Sequence, residues 1–180
     1  MVIILVKELI ELGKSILIAI VAAFLIITFV FETVSVDGLS MYPTLHNKDR
    51  LIVEKVSYYF RKPTPGEIVV IKYPADPREK FIKRVIAVEG DKVKVEDNKV
   101  YVNNKPLDEN YIFEQRMQDF NEVTVPENTI FVMGDNRNNS LDSRDPRVGF
   151  VNYNMVVGRA ALRIYPFDRA GRLNAALQTK

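Results

Sequence analysis

Seventeen consecutive uncharged residues, Ser15 to Phe31 (SILIAIVAAFLIITFVF), constrain this chain more than any other feature. A helix of that length just reaches the lower limit for crossing a bilayer, and the segment before it extends it. Met1 to Lys14 puts Val2, Leu5, Leu9 and Leu12 on one helical face and Lys7, Glu8, Glu11 and Lys14 mostly on the other, as in an interfacial lead-in helix. A cleaved secretory signal is the alternative, but its apolar core runs about 7–15 residues, and no small-x-small site follows before Glu32. Lys7 and Lys14 precede the run and the next cation is Lys48, so the positive-inside bias places the N-terminus in the cytoplasm. The expected organisation is a lead-in and transmembrane anchor, 1–31, followed by an extracytoplasmic domain, 32–180, held single-pass in the plasma membrane.

Composition narrows the chemistry. The 25 Lys and Arg against 23 Asp and Glu leave a net charge of +2, and no basic run is interleaved with aromatics, which excludes nucleic acid as a partner. With no cysteine, disulfides, thiolate zinc sites and a cysteine nucleophile are excluded. One histidine makes a metal site a poor reading.

Beyond the anchor the pattern is β-rich. Thr33–Val36 alternates as a strand and Asp37-Gly38 turns. Arg50–Tyr59 and Glu67–Tyr73 read as two further strands, split by the breakers Lys62-Pro63-Thr64-Pro65-Gly66. Lys92–Val102 reads as a hairpin about Asp97-Asn98, part of a small insert around 92–121 whose polar remainder, Leu107–Asn121, shows no period. Thr129–Met133 and Met155–Pro166 are strands, and Phe167–Lys180 is a polar tail expected to be helical.

Ser40, at the corner Gly38-Leu39-Ser40-Met41-Tyr42-Pro43, stands where Pro43 fixes the backbone. Taken alone this is a turn entering the next strand. A serine becomes nucleophilic only when a base takes its proton, and His46, six positions on, is badly placed to fold back onto it. In Phe81–Val88, period-two alternation puts Phe81, Lys83, Val85 and Ala87 on one face and Ile82, Arg84, Ile86 and Val88 on the other. Both faces are apolar apart from one cation each. A cation snorkelling at a sheet edge is the ordinary reading; a buried Lys83 is the alternative, and burial favours the free amine. Ser40 and Lys83 are therefore the candidate dyad. In the polar loop Gly134–Arg144, Ser140 could bond Lys83 and Asp142 could pair with Arg144.

The segments SMYPTL after a span, GEIVVIKYP, FIKRVIAVEGD and MGDNRNNSLDSRDPRVGFV stand in one order, and as a set they resemble the type I signal peptidases of the short, single-span bacterial kind. The resemblance implies a mostly β catalytic domain with an antiparallel, barrel-like sheet behind an N-terminal transmembrane helix. It implies Ser40 as nucleophile, Lys83 as general base, Ser140 as the hydroxyl orienting the lysine, Asp142 with Arg144 as a supporting ion pair, and structural roles for Asp135 and Arg84. It implies no cofactor. The implied partners are exported preproteins with signal peptides, cut after Ala-x-Ala, together with membrane lipid and nearby translocation machinery. Some relatives carry a serine two places before the nucleophile to help hold the oxyanion. Here that place is Gly38, leaving the Ser40 backbone N–H as the donor in view.

An extended substrate is expected to add as a strand beside 33–36 and 81–86, over shallow pockets lined by Val36, Leu45 and Ile82. Met41 and Tyr42 are candidates for an apolar patch resting on lipid. Two rivals are a soluble self-cleaving Ser-Lys regulator, disfavoured by the span, and a tethered binding module that has lost activity, disfavoured by the presence of both Lys83 and Ser140.

Overall fold

The structure is a computed structural model that describes residues 2–114, 116–173, 175, 178 and 179. The uncharged run and the lead-in that extends it form one unbroken helix, α1 (Val2–Val30). No proline interrupts it, and the single Gly13 costs only about 1 kcal/mol relative to alanine. Its polar side chains are satisfied internally: Ser15 Oγ donates to Glu11 O (3.0 Å) and Thr28 Oγ1 to Phe24 O (2.8 Å). Val6–Val30, 25 residues, is long and apolar enough to cross a bilayer, and none of it is buried against the rest of the molecule. It spans about 37 Å against a hydrocarbon core of about 30 Å. Phe31, expected as the last residue of the span, instead opens the first strand.

Strands β1 (Phe31–Ser35) and β2 (Arg50–Glu54) pair antiparallel, Phe31 opposite Glu54. The expected strand to Tyr59 stops at Glu54 because the Glu54 carboxylate accepts from Ser57 N (2.6 Å) and Ser57 Oγ (2.5 Å), curling the chain into the turn α2 (Ser57–Phe60). There follow β3 (Ile68–Tyr73), β4 (Asp76–Val88), β5 (Lys92–Glu96), β6 (Lys99–Val102), β7 (Lys105–Asp108), β8 (Phe120–Thr124), β9 (Thr129–Met133), β10 (Val151–Asn152), β11 (Val156–Tyr165), β12 (Gly171–Arg172) and β13 (Gln178–Thr179). The main sheet runs β1-β2-β11-β3-β4-β9-β10 with β12 beside β11, and the smaller one β13-β7-β6-β5-β8. The expected 92–102 hairpin is present, with Asp97 and Asn98 at positive φ as a tight hairpin turn requires. The tail is not helical where it is described. A 3₁₀ turn at Phe167–Arg169 leads into β12 and β13, whose backbones find partners in β11 and β7; Asn174, Ala176, Leu177 and Lys180 lie outside the described residues.

Strict alternation fails on β4. The register with β9 shifts between Val85 and Ala87, so Val85 joins a core of Val69, Ile71, Ile130 and Val132, whereas Ile86 and Ala87 pack with Val93, Val100, Phe131 and Met133 under the smaller sheet. One inserted residue thus lets a single strand serve two cores. A third core gathers Val36, Met41, Leu45, Leu51, Ile68 and Ala160.

Between these cores Arg84 and Asp135 are fully buried. Arg84 donates from Nε to Asp135 Oδ1 (2.8 Å), from Nη2 to Oδ2 (2.6 Å) and from Nη1 to Gly66 O (2.9 Å), while Thr44 Oγ1 donates to Asp135 Oδ2 (2.5 Å). The guanidinium also stacks over Tyr111, 4.2 Å from the ring centroid. Tyr111 donates to Glu109 (2.7 Å), and Glu109 pairs with buried Arg137. Glu109, Tyr111 and Met117 of the aperiodic 107–121 stretch therefore act as a plug against the buried Arg84 and Arg137. Gly134, following β9, passes close to the chain beside Ser40: a Cβ there would lie 2.3 Å from Ser140 Oγ and 2.4 Å from Ser40 O.

Removing one partner of a buried pair leaves the other charge uncompensated, so Asp135→Ala is expected to lower stability by about 3–5 kcal/mol in urea unfolding of the detergent-solubilised protein. Gly134→Ala is expected to cost about 1–3 kcal/mol in the same measurement, since backbone rather than a flexible side chain must move.

Candidate active site

Two neighbouring cations on β4 lie in opposite circumstances. Arg84 is bound on every side. Lys83, only 3% exposed, makes no ion pair among the described residues, and its one hydrogen bond is from Nζ to Ser40 Oγ at 2.8 Å. Its stem lies on β4 opposite Val69, and its ammonium sits 5.2 Å from the Phe81 ring centroid. Burial pushes the lysine down from 10.5 to about 8, while the charges of Asp142 and then Asp135 pull weakly the other way. In the free-amine form the bond reverses, the Ser40 hydroxyl donating to the lone pair on Nζ.

Ser40 is held by its backbone. Asn136 N donates to Ser40 O (3.0 Å) and Asn136 Nδ2 to Leu39 O (3.1 Å), so the loop after β9 grips both carbonyls bracketing the serine. Tyr42 N donates to Leu39 O (3.1 Å) and Leu45 N to Met41 O (2.8 Å), closing the corner as consecutive turns. The Ser40 N–H donates to no protein atom among the described residues. Gly38, at φ 91°, is turned away by its own bond to Asn47 Oδ1 (3.1 Å), and a side chain at that position would meet only open space.

Asp142 and Arg144 pair at 2.8 Å, and Asp142 also accepts from Gly134 N (3.0 Å). Arg144 reaches on to Arg137 O (2.6 Å), so the pair ties both limbs of the loop together. Ser140 is placed differently from the expectation. Its hydroxyl is buried with no partner, packed against Gly134 on the carbonyl side of Ser40, and makes no hydrogen bond to Lys83. The loop sets this position, because Asp142 and Ser143 anchor it to β9: Val132 N donates to Ser143 Oγ (2.9 Å) and Ser143 N to Val132 O (3.0 Å).

Val36 and Leu45 are buried in one core, and half-buried Ile82 packs against it. These three expected pocket residues thus come together, but Leu45 and Val36 lie inside the core, which leaves Ile82 as the one with surface to offer. Met41, at 2% exposure, belongs to the same core and is not available to lipid, while Tyr42 packs edge-on against Phe113 (4.7 Å) and His46 (5.0 Å). β1 is the terminal strand of the main sheet, and β4 pairs with β9 only from Arg84 onward. The free edge of β4 within the expected 81–86 is therefore only 81–83. Lys80 Nζ meets Glu32 Oε1 at 2.5 Å, an ion pair that links β1 to the part of β4 that β9 leaves unpaired. Asn136 was missed from the sequence, since nothing in an Asn within a polar loop announces that it caps two carbonyls nearly a hundred residues away.

Comparison with known proteins gives the same picture over most of the length. The family described as signal peptidase, peptidase S26, matches residues 9–165. A probable signal peptidase I-2 from Synechocystis sp. is 46% identical over 91% of this chain and 76% of its own. Signal peptidase I S from Bacillus subtilis is 37% identical over 93% of this chain and 95% of its own. The crystal structure of a signal peptidase I from Enterococcus faecalis superposes with a TM-score of 0.50 at 32% identity, covering 55% of this chain and 97% of that one. By the extent of the family match and the identity of its relatives, this chain belongs to the signal peptidase family, peptidase S26.

Proposed function

We propose that this family member is a membrane-bound serine endopeptidase that releases exported preproteins from their signal peptides, with Ser40 as nucleophile and Lys83 as general base. The carrying observation is the buried, unpaired Lys83 ammonium 2.8 Å from the Ser40 hydroxyl and lowered to about 8. With the lysine near 8, about a tenth of it is free amine at pH 7 and about half at pH 8, and that fraction is the general base a serine requires. In the reading we adopt, α1 is the anchor, the N-terminus is cytoplasmic, and residues 32–180 form the catalytic unit outside, near the translocation machinery that delivers its substrates.

The peptide enters extended between β1 and residues 81–83 of β4, parting Lys80 from Glu32 and exchanging backbone hydrogen bonds with both edges. Alternate side chains of an extended strand point the same way, so the residues one and three places before the cut both face the half-buried Ile82, which lies over the core of Val36 and Leu45. That floor is filled by its own side chains, which leaves depth for alanine and favours Ala-x-Ala.

Ser40 Oγ then attacks the scissile carbonyl carbon while its proton passes to Lys83 Nζ. The carbonyl oxygen takes the negative charge and accepts from the unoccupied Ser40 N–H. As the C–N bond breaks, Lys83 returns the proton to the departing amine, the new N-terminus of the mature protein, and leaves the signal peptide esterified to Ser40. Lys83 next deprotonates a water that attacks the ester, and the serine regains its proton as the acid leaves. Asp142 and Arg144 hold the loop that carries Asn136, so they act by positioning the serine. Ser140, with its hydroxyl unpartnered, is the acceptor that steadies the lysine's remaining N–H groups after rotation toward it.

Cleavage of a preprotein bearing an Ala-x-Ala site by the detergent-solubilised protein tests this directly. Ser40→Ala and Lys83→Met are each expected to reduce cleavage by at least about 10⁴-fold, and a Lys83→Met enzyme that still cut would exclude the dyad. Parent activity should rise with pH through about 8, as the amine loses its proton, and level off above it.

Stability supplies an independent check with a definite sign. The native lysine sits near 8 against 10.5 when exposed, so below pH 8 both states are charged and the fold carries the full burial penalty of about 3 kcal/mol. That penalty disappears as pH rises from 8 toward 10.5, where the unfolded chain holds the proton the native one has released. Lys83→Met is therefore expected to be more stable than the parent at pH 7, with the difference shrinking at alkaline pH in urea unfolding.

A further inference from the structure

Immediately after the pairing of Glu54 with Phe31, the turn α2 presents two aromatic side chains that nothing covers: Tyr59 is 78% exposed and Phe60 84%. The turn is not loose. Tyr58 OH donates to Glu67 Oε2 (3.0 Å), Arg61 Nη2 to Glu67 Oε1 (2.5 Å), and Thr64 N to Glu67 Oε2 (2.9 Å), with the Arg61 guanidinium over the Tyr58 ring at 5.3 Å. A buried carboxylate thus clamps the inner side of the turn and holds its outer side in a fixed attitude. Rigidly displayed aromatic surface costs solvation without adding to the core, and such surface marks a contact.

Its position names the contact. Lys55 N donates to Val30 O (2.9 Å) and Lys55 Nζ to Thr28 O (3.3 Å), both in the last turn of α1. Val30 is also the last residue of the apolar stretch, so α2 starts beside the point where that helix leaves the hydrocarbon. We infer that α2 is a second membrane contact, with Tyr59 and Phe60 set into the headgroup and acyl boundary of the bilayer that α1 crosses. Aromatic side chains favour that layer because it accommodates an apolar ring and, for tyrosine, a hydrated hydroxyl. Of the cations nearby, Arg61 pairs with Glu67, Lys62 with Glu89, and Lys55 is held on the Thr28 carbonyl, so the contact depends on the rings and not on anionic lipid. With α1 and α2 both fixed to the membrane, the cleft between β1 and β4 has a set height above the surface from which an anchored peptide emerges. The inference rests on the reading of α1 as a membrane anchor.

The chain has no tryptophan, so a single substitution reports its own surroundings. Full-length Phe60→Trp would be reconstituted in phosphatidylcholine vesicles carrying brominated acyl chains, with Tyr101→Trp on β6 as the comparison. The expected result is blue-shifted emission for Phe60→Trp, quenched by the brominated lipid and shielded from aqueous iodide, with the reverse for Tyr101→Trp. The same lipid quenching is expected when anionic lipid is added. Water-like emission of Phe60→Trp with full iodide quenching would overturn the proposal, as would lipid contact that appears only with anionic lipid. Flotation of the protein with the vesicles reports α1 separately: failure to float defeats both readings, whereas flotation without lipid quenching of Phe60→Trp defeats this one alone.

Discussion

Everything near the candidate dyad depends on the unequal treatment of two adjacent cations. Strand geometry sends Lys83 and Arg84 to opposite faces of β4, and the fold buries both. Arg84 receives a bidentate carboxylate, a carbonyl and an aromatic face, and it welds the plug at Tyr111 to the loop after β9. Lys83 receives one hydroxyl. A counter-ion of its own would raise the proton affinity of Lys83, and the carboxylate that most influences it, Asp142, is turned to Arg144 and to the Gly134 N–H instead. The ion pairs around the site thus take up carboxylates that would otherwise stabilise the ammonium.

The same arrangement fixes the serine without touching its hydroxyl. Asn136 binds the carbonyls of Leu39 and Ser40, Gly134 allows the two chains to approach, and Thr44 ties the downstream end of the corner to Asp135. The hydroxyl and the N–H of Ser40 are left for chemistry. This division between a gripped backbone and free reactive groups is what preorganisation means in a hydrolytic site, since no bond of the serine corner has to be broken before its hydroxyl and N–H can be used. It also gives Gly38 a role: with its N–H committed to Asn47 and no side chain, it leaves the space beside the serine open.

Much was legible in the sequence because it is governed by local rules. The charge-free run, the strand periods, the Asp97-Asn98 turn and the isolation of Lys83 within apolar neighbours each follow from steric or solvation preferences that act over a few residues. Misreadings occurred where a single side chain redirected the backbone. Glu54 ended a strand by capping Ser57, a bulge at Ile86 broke the alternation of β4, and the C-terminal segment, polar enough for a helix, found strand partners instead. Ser140 was chosen from its place in a polar loop, but its contacts depend on how Asp142 and Ser143 dock on β9.

The sequence by itself determined that an apolar run long enough to span a bilayer precedes a β-rich remainder, and it singled out Ser40 and Lys83 as candidates, because those readings need only composition, spacing and elimination. Family membership also rests on the order and identity of residues along the chain. Only the tertiary structure decided that the serine and lysine, forty-three positions apart, lie 2.8 Å from each other, that Asn136 holds the corner, and that 84–86 is closed to a substrate strand by β9. The physical reason is that burial and distance are properties of packed neighbours. A lysine's proton affinity is set by what surrounds it in space, and periodicity tells which face a side chain takes without telling what waits there.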